Sequence, residues 1–517
     1  MGIGYSSCMT SPTRNRLRFL TLTASALVLT GCAAGHTAVV NPEDSGSSST
    51  SAITIATTSS ATSLDFTTTG GAAIPAALMD NVYETLVAID PESGDIIPHL
   101  ASSWDVSEDA TAYTFHLRDD VYFSNGDKFS AETAKFSIDY VLNEWSNGIA
   151  SQMAPVKSAE ALDENTLKVT LNQPSQSWLW NMSTAIGAMM SPGGIDKLAT
   201  EPVGTGPYQL RQFSTGEFIA LKPNPNYWGT PAASAVTISF YPDALSSLNA
   251  LQAGQVDVVW SMQTPELLNT LPEEFTVEVG TTNGEILLSM NNNAAPFDDP
   301  RIRQAVAYGV DRAALNEVIW EGLAEDTGGQ PVPPTDPWFS EKNFYDFDPA
   351  RAQELMGEAG AEGTKLTLTI PTVPYAQIAS ELLYSQLTEI GFDVTLESAE
   401  FPAVWLGQVM GAQDYQMSLI SHVEPHDVPV LFGSPDYYLG YDSEATRELL
   451  AAADTADSPE RYHALMSEAI STIMDDAAAL TLMNMPNIVI SDPGISGLQV
   501  NAITDAMVLR NLKEDAQ

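Results

Sequence analysis

Cysteine is almost missing from this chain: its 517 residues contain only Cys8 and Cys32. With both thiols so near the start, the body holds no disulfide framework and offers no cysteine nucleophile. Basic residues are scarce as well, 21 Lys and Arg against 66 Asp and Glu, for a formal net charge of −45. Such a surface repels nucleic acid and anionic lipid, so neither is expected as a direct partner. The acidity itself reads first as a solubilising surface rather than as a trap for one ligand. No stretch reaches the roughly 18 consecutive apolar residues of a spanning helix. Also absent are Gly-x-Ser-x-Gly, Ser-x-x-Lys, His-Glu-x-x-His, Gly-x-Gly-x-x-Gly and Gly-x-x-x-x-Gly-Lys, which leaves an enzymatic reading without a recognisable nucleophile, metal pair or phosphate cradle. An abundance of acids is not in itself a catalytic carboxylate pair.

What is present begins with the first residues. Arg14, Arg16 and Arg18 precede a mostly apolar run from Phe19 to Thr30, followed by Gly31 and Cys32. Charge, apolar stretch and small residues in that order are a signal peptide, residues 1–31. Leu29-Thr30-Gly31-Cys32 resembles the bacterial lipobox, which implies a lipidated Cys32 as the first mature residue. Removing residues 1–31 takes away three arginines and no acid, moving the formal charge from −45 to −48, so attachment to a membrane rests on acyl chains alone. Residues 32–51 then read as the lipidated Cys and a flexible tether rich in Ser, Ala, Gly and Thr.

The body mixes period-2 and period-3.6 segments, which favours an α/β class. Ile53 to Ala56 reads as the first strand, and Tyr113-Phe115-Leu117 and Leu167-Val169-Leu171 as half-buried strands. Ser130 is placed to cap a helix bearing Phe136 and Tyr140. Two β-α-β units are expected. One runs from Val236-Ile238-Phe240 through Leu245, Leu248 and Leu251 to Val256–Val259. The other runs from Leu366-Leu368-Ile370 through a helix with Ile378, Leu382 and Ser385 on one face to Phe392-Val394-Leu396. Being over a hundred residues apart, they suggest two sheets in two lobes. Glycines at Gly204 and Gly206 are expected to supply positive φ before a strand at Tyr208, and Asp299-Pro300 to start a helix with Ile302, Ala305, Val306 and Val310 facing a core.

Several blocks together resemble the solute-binding family 5 proteins that serve oligopeptide, dipeptide and nickel-chelate ABC importers. They are Val82-Tyr83-Glu84-Thr85-Leu86, Pro98-His99-Leu100 through Trp104, Tyr113 through Arg118, Phe123 through Asp127, Gly204-Thr205-Gly206-Pro207-Tyr208, Asn224 through Trp228, Gly254 through Val258, Arg301 through Tyr308 and Phe347 through Ala352. The resemblance implies an α/β, two-lobed periplasmic-binding-protein-like fold of type II, with an extra subdomain in lobe I and a hinge between lobes. It places lobe I at 52–283 with the added subdomain at about 82–191, lobe II at 284–488, and a return to lobe I at 489–517. The crossings fall near Thr281 to Asn291 and Met485 to Asp492.

It also implies a monomer without cofactor that passes a short peptide, or another small solute, to ABC permease and ATPase subunits; the alternatives are a nickel, metal-chelate or haem-binding importer subunit, or a surface receptor that senses its ligand without transport. In peptide-binding relatives an acid after a strand of the second lobe pairs with the ligand amine. The corresponding stretch here is Tyr415 to Asp427, where His422, Glu424 and Asp427 stand in place of the usual Trp and Asp. Glu424 or Asp427 is the expected amine partner, with Trp405, Tyr375 and Trp260 as pocket aromatics. His422-x-Glu424-x-His426-Asp427 is alternatively a set of ligands suited to Ni, Zn or Cu, although Pro425 is expected to break the strand that would align them. His36, His99, His116 and His463 suggest nothing together.

Overall fold

The computed structural model describes residues 52–90 and 94–515; the signal peptide, Cys32, the tether and His36 lie outside them. No helix among the described residues is long and apolar enough to cross a membrane.

The dominant element is a ten-stranded sheet. Its order is Asp393–Ala399, Lys365–Pro371, Met417–His422, Thr276–Met290, Ala479–Ser491, Val258–Val259, Ile53–Thr57, Val236–Phe240, Phe218–Pro223 and Tyr208–Ser214. Both expected β-α-β units are present, with Ile53–Thr57 inserted between the parallel strands of the first. The expectation of two separate sheets is corrected. Thr276–Met290 and Ala479–Ser491 are long enough to run through both halves, and they pair antiparallel with each other, with a break in register between Thr281 and Glu285. A second sheet, order Ala101–Val106, Ala112–Leu117, Thr166–Leu171, Val156–Asp163, is antiparallel throughout.

Side chains pack into two hydrophobic cores. One gathers Ile53, Tyr83, Phe115, Trp178, Tyr208 and Leu509. The other gathers Ile286, Trp320, Leu368, Trp405, Leu419 and Ile488, and draws in Leu248 and Leu251 from the 244–252 helix. Leu245, expected on that face, points outward.

Local chemistry sets the helix starts. Ser130 caps Ala131–Glu144 in a reciprocal box with Thr133, and Asp299 and Asp348 cap helices that each begin with proline. In the Pro374–Glu389 helix the buried side is Tyr375, Ala376, Ala379, Leu383 and Leu387; Leu382 packs half-buried at its edge, and Ile378 and Ser385, expected with it, are exposed.

Gly204 and Gly206 serve proximity rather than positive φ. A Cβ on Gly204 would stand 1.8 Å from the Val82 carbonyl oxygen, and one on Gly206 2.4 Å from that of Asn81. The Asn81 and Val82 carbonyls accept from the Tyr208 and Gly206 amides at 2.8 and 3.0 Å. Gly204→Ala is therefore expected to lower unfolding free energy by ~1–3 kcal/mol through overpacking, checked by denaturant unfolding.

The family-like blocks of the first half converge on one buried carboxylate. Glu84 accepts from Thr205 Oγ1 at 2.7 Å, Tyr227 OH at 2.8 Å and Trp228 Nε1 at 3.0 Å, and meets His99 Nε2 at 3.1 Å. Arg118 donates to the His99 carbonyl and lies 4.3 Å over the Trp228 ring. Burial pushes the Glu84 pKa up, but His99 and the bonds from Trp228 and Thr205 hold it below the ordinary carboxylate value. Burial depresses His99, yet Glu84 raises it overall. These blocks are architectural.

Candidate functional site

The strand Met417–His422 lies against Thr276–Met290, so His422 stands directly across from Glu285. Pro425 ends any regular continuation and His426 adopts φ 54°, which turns its ring away from the other ligand candidates. His422, Glu424 and Asp427 remain together, each offering an atom within 4.8 Å of the others.

The His422 ring is buried and oriented by a relay. Its Nε2 lies 2.8 Å from Tyr438 OH, which lies 2.7 Å from Ser289 Oγ. Its Nδ1 faces Asp427 Oδ2 at 3.9 Å. Burial pushes its pKa down to about 4 against the pull of Glu424, so the imidazole is neutral near neutral pH and its contact with Asp427 is not an ion pair.

The carboxylates around it are loaded with like charge. Burial, then Glu424 and Asp336, drive the Asp427 pKa well above the ordinary value. Burial, then Asp427 and Asp336, do the same to Glu285, whose Oε1 is buried without a hydrogen-bond partner among the described residues. Buried acids that repel one another favour a proton or an incoming cation.

His426 sits apart from this trio. It stacks on Trp180 at 3.8 Å and 29°, leans on Trp338 at 4.5 Å and meets Asp336 through Nε2 at 3.3 Å. Tyr375 is buried, and its hydroxyl accepts the Ser421 amide at 2.9 Å. Trp405 is 1% exposed and donates to Ser418 Oγ at 3.0 Å from within the second core.

Trp260 lines a cavity of about 270 Å³. Its walls are Thr282, Asn283 and Gly284 from one long strand, Met485 and Pro486 from the other, Ala72, Ala73 and Ala76, Phe240, Val423 and Asp505. No Lys or Arg occurs among its described lining residues. Burial raises the pKa of Asp505 despite its bond to the Ala185 amide. Val423 joins this cavity to the acid segment that begins at Glu424.

Sequence reasoning missed Glu285, Asp336, Trp180, Trp338 and Tyr438. Glu285 carried a signal, an acid at the head of Ile286-Leu287-Leu288 inside a strand; the others are brought in by tertiary contacts alone.

The family described as bacterial extracellular solute-binding proteins, family 5 Middle, matches residues 95–433. Heme-binding protein A of Haemophilus influenzae is 29% identical over 432 residues, 74% of this chain and 77% of that protein. The probable ABC transporter periplasmic-binding protein SapA of Escherichia coli is 29% identical over 356 residues, 62% of this chain and 64% of that protein, a little under two thirds of its length. Among solved structures, the periplasmic binding protein DppA of Helicobacter pylori in complex with the peptide STSA superposes with a TM-score of 0.75 at 25% identity, covering 90% of this chain and 98% of that one. NikA of Brucella suis in complex with Fe(III)-EDTA gives 0.80 at 22%, covering 90% and 100%, and speaks for the fold alone.

Proposed function

The chain belongs to the bacterial extracellular solute-binding proteins, family 5, and from that premise we propose that it is the substrate-binding lipoprotein of an ABC importer that captures short peptides between its lobes. It acts outside the cytoplasm as a monomer, held to the membrane by lipid on Cys32, binds without chemistry on its cargo, and delivers it to the permease and ATPase subunits. Lobe I is built mainly on the first core and lobe II mainly on the second, with Thr276–Met290 and Ala479–Ser491 as the hinge between them.

One observation carries the peptide reading. Asp427 is partly buried in the segment that follows Val423 of the cavity wall, and the charges acting on it, Glu424 and Asp336, are both negative. A peptide's terminal ammonium supplies the missing positive charge, while the apolar wall of Ala72, Ala76, Phe240 and Trp260 accepts a side chain. Calorimetric titration with free-amine and N-acetylated forms of one peptide tests this. The free amine is expected to bind at least about thirtyfold more tightly; equal affinities would exclude the ammonium as anchor.

A pH dependence follows. Asp427 has a raised pKa, so the unliganded site carries a proton over a window above the ordinary carboxylate value, and an arriving ammonium must displace it. Affinity is therefore expected to fall as pH is lowered through that window, with proton release on binding. Titration in two buffers of different ionisation enthalpy reads this directly; an unchanged proton count and a flat pH profile would contradict it.

A second reading has support from the convergence of His422, Glu424 and Asp427 within 4.8 Å. A neutral imidazole with Nε2 held by Tyr438 leaves Nδ1 available, a set that suits a nickel or other metal chelate as cargo. Retention of a metal mass by the purified protein would favour this reading over peptide.

A further inference from the structure

The Gln176–Asn181 helix is anchored in the first core, where Trp178 packs on Tyr113 at 4.9 Å, yet its first turn is satisfied by the second. A single oxygen, Asp454 Oδ1, accepts from Ser175 Oγ at 2.9 Å, the Ser177 amide at 3.0 Å and Ser177 Oγ at 2.6 Å. Gln176 Nε2 donates to the Ala456 carbonyl at 2.8 Å. Ser175, at the N-cap position, makes no cap bond within its own helix.

Asp454 is locally misplaced. It ends the Glu444–Asp454 helix, where an acid opposes the helix dipole, and the nearby Arg447 is taken by Asp442 at 2.7 Å. A residue that suits its own helix poorly and another body's helix well marks a contact kept for function. A crevice of about 320 Å³ lined by Ser177, Asp454 and Tyr462 gives water a route to these groups, so the contact can open without stranding a buried acid.

At the far end of the same short helix, Trp180 lies on His426 at 3.8 Å, inside the segment that carries Glu424 and Asp427. The helix therefore spans from the Asp454 clamp to the cargo acids.

We propose that Asp454 is a positioning residue for capture: it latches the Gln176–Asn181 helix onto the second lobe in the closed state, setting Trp180 over the Glu424–Asp427 segment and so governing how long cargo is held. This rests on the binding reading above, and it concerns release rate, not choice of cargo. Discrimination between open and closed forms depends on contacts made in one of them only, and these contacts join the two cores.

The test pairs Asp454→Ala with the milder Ser177→Ala. Without cargo, hydrogen exchange at residues 175–181 and 424–427 is expected to rise in Asp454→Ala and to a lesser degree in Ser177→Ala; unchanged exchange in both overturns the latch whatever the cargo is. With a bound peptide, dissociation is expected to accelerate about tenfold in Asp454→Ala while association stays within about twofold. Equal dissociation rates for variant and wild type also overturn it, as does a loss confined to association. A wild type that binds no peptide sinks the peptide reading, and the exchange measurement still decides the latch.

Discussion

Replacing Asp427 by Asn is expected to weaken peptide binding by about 2–5 kcal/mol, a loss of roughly thirtyfold or more, while the unliganded protein keeps or gains thermal stability. The two effects have one cause. Asp427 is partly buried next to Glu424 and Asp336, and desolvation first, then those two charges, raise its pKa, so Asn spares the empty site the cost of a charge there and removes the counter-ion for the ligand. Glu424→Gln is expected to cost less, because Glu424 is exposed and its interactions are screened by water. Calorimetry and thermal melts on the same preparations check both halves. Wild-type affinity in Asp427→Asn would assign the amine contact elsewhere.

The second large effect concerns folding. Glu84→Ala is expected to lower unfolding free energy by about 3–5 kcal/mol, because it strips a buried ion pair of one partner and leaves the Thr205, Tyr227 and Trp228 donors facing no acceptor. The pH dependence has two limbs. Glu84, lowered below 4.5, contributes stability that is present above that value and lost as pH falls through its folded pKa. His99, raised above 6.5, contributes stability that is present below that value and lost as pH rises through its folded pKa. Denaturant unfolding across pH reads both limbs, and a variant within about 1 kcal/mol of wild type would show that the cluster is not a structural keystone.

What the sequence made legible follows from how local each determinant is. Ser130, Asp299-Pro300 and Asp348-Pro349 announce helix starts because a cap needs only its own first turn. Period-2 runs such as Tyr113-Phe115-Leu117 mark strands for the same reason. The continuous sheet was not legible, since it depends on Thr276–Met290 finding Ala479–Ser491 about two hundred residues away, and Gly280 and Gly284 blur the first strand's pattern. The buried face of Pro374–Glu389 was misread because the buried stripe runs through the small Ala376 and Ala379 to Leu383 and Leu387, while Ile378 is exposed and Leu382 lies at its edge.

The site divides the same way. His422, Glu424 and Asp427 are neighbours in sequence and stay neighbours in space. His426 leaves them because Pro425 and a left-handed backbone turn its ring toward Trp180 and Trp338. Those two aromatics, Asp336, and the Asp454 contact with Ser175 and Ser177 come from distant parts of the chain, and no local pattern announces them.

Native mass spectrometry of protein purified without refolding addresses the central claim most directly. The account predicts retained short peptides, released intact and lost in Asp427→Asn. A single metal-chelate or heme mass that survives this substitution, or cargo recovered in chemically altered form, would contradict it.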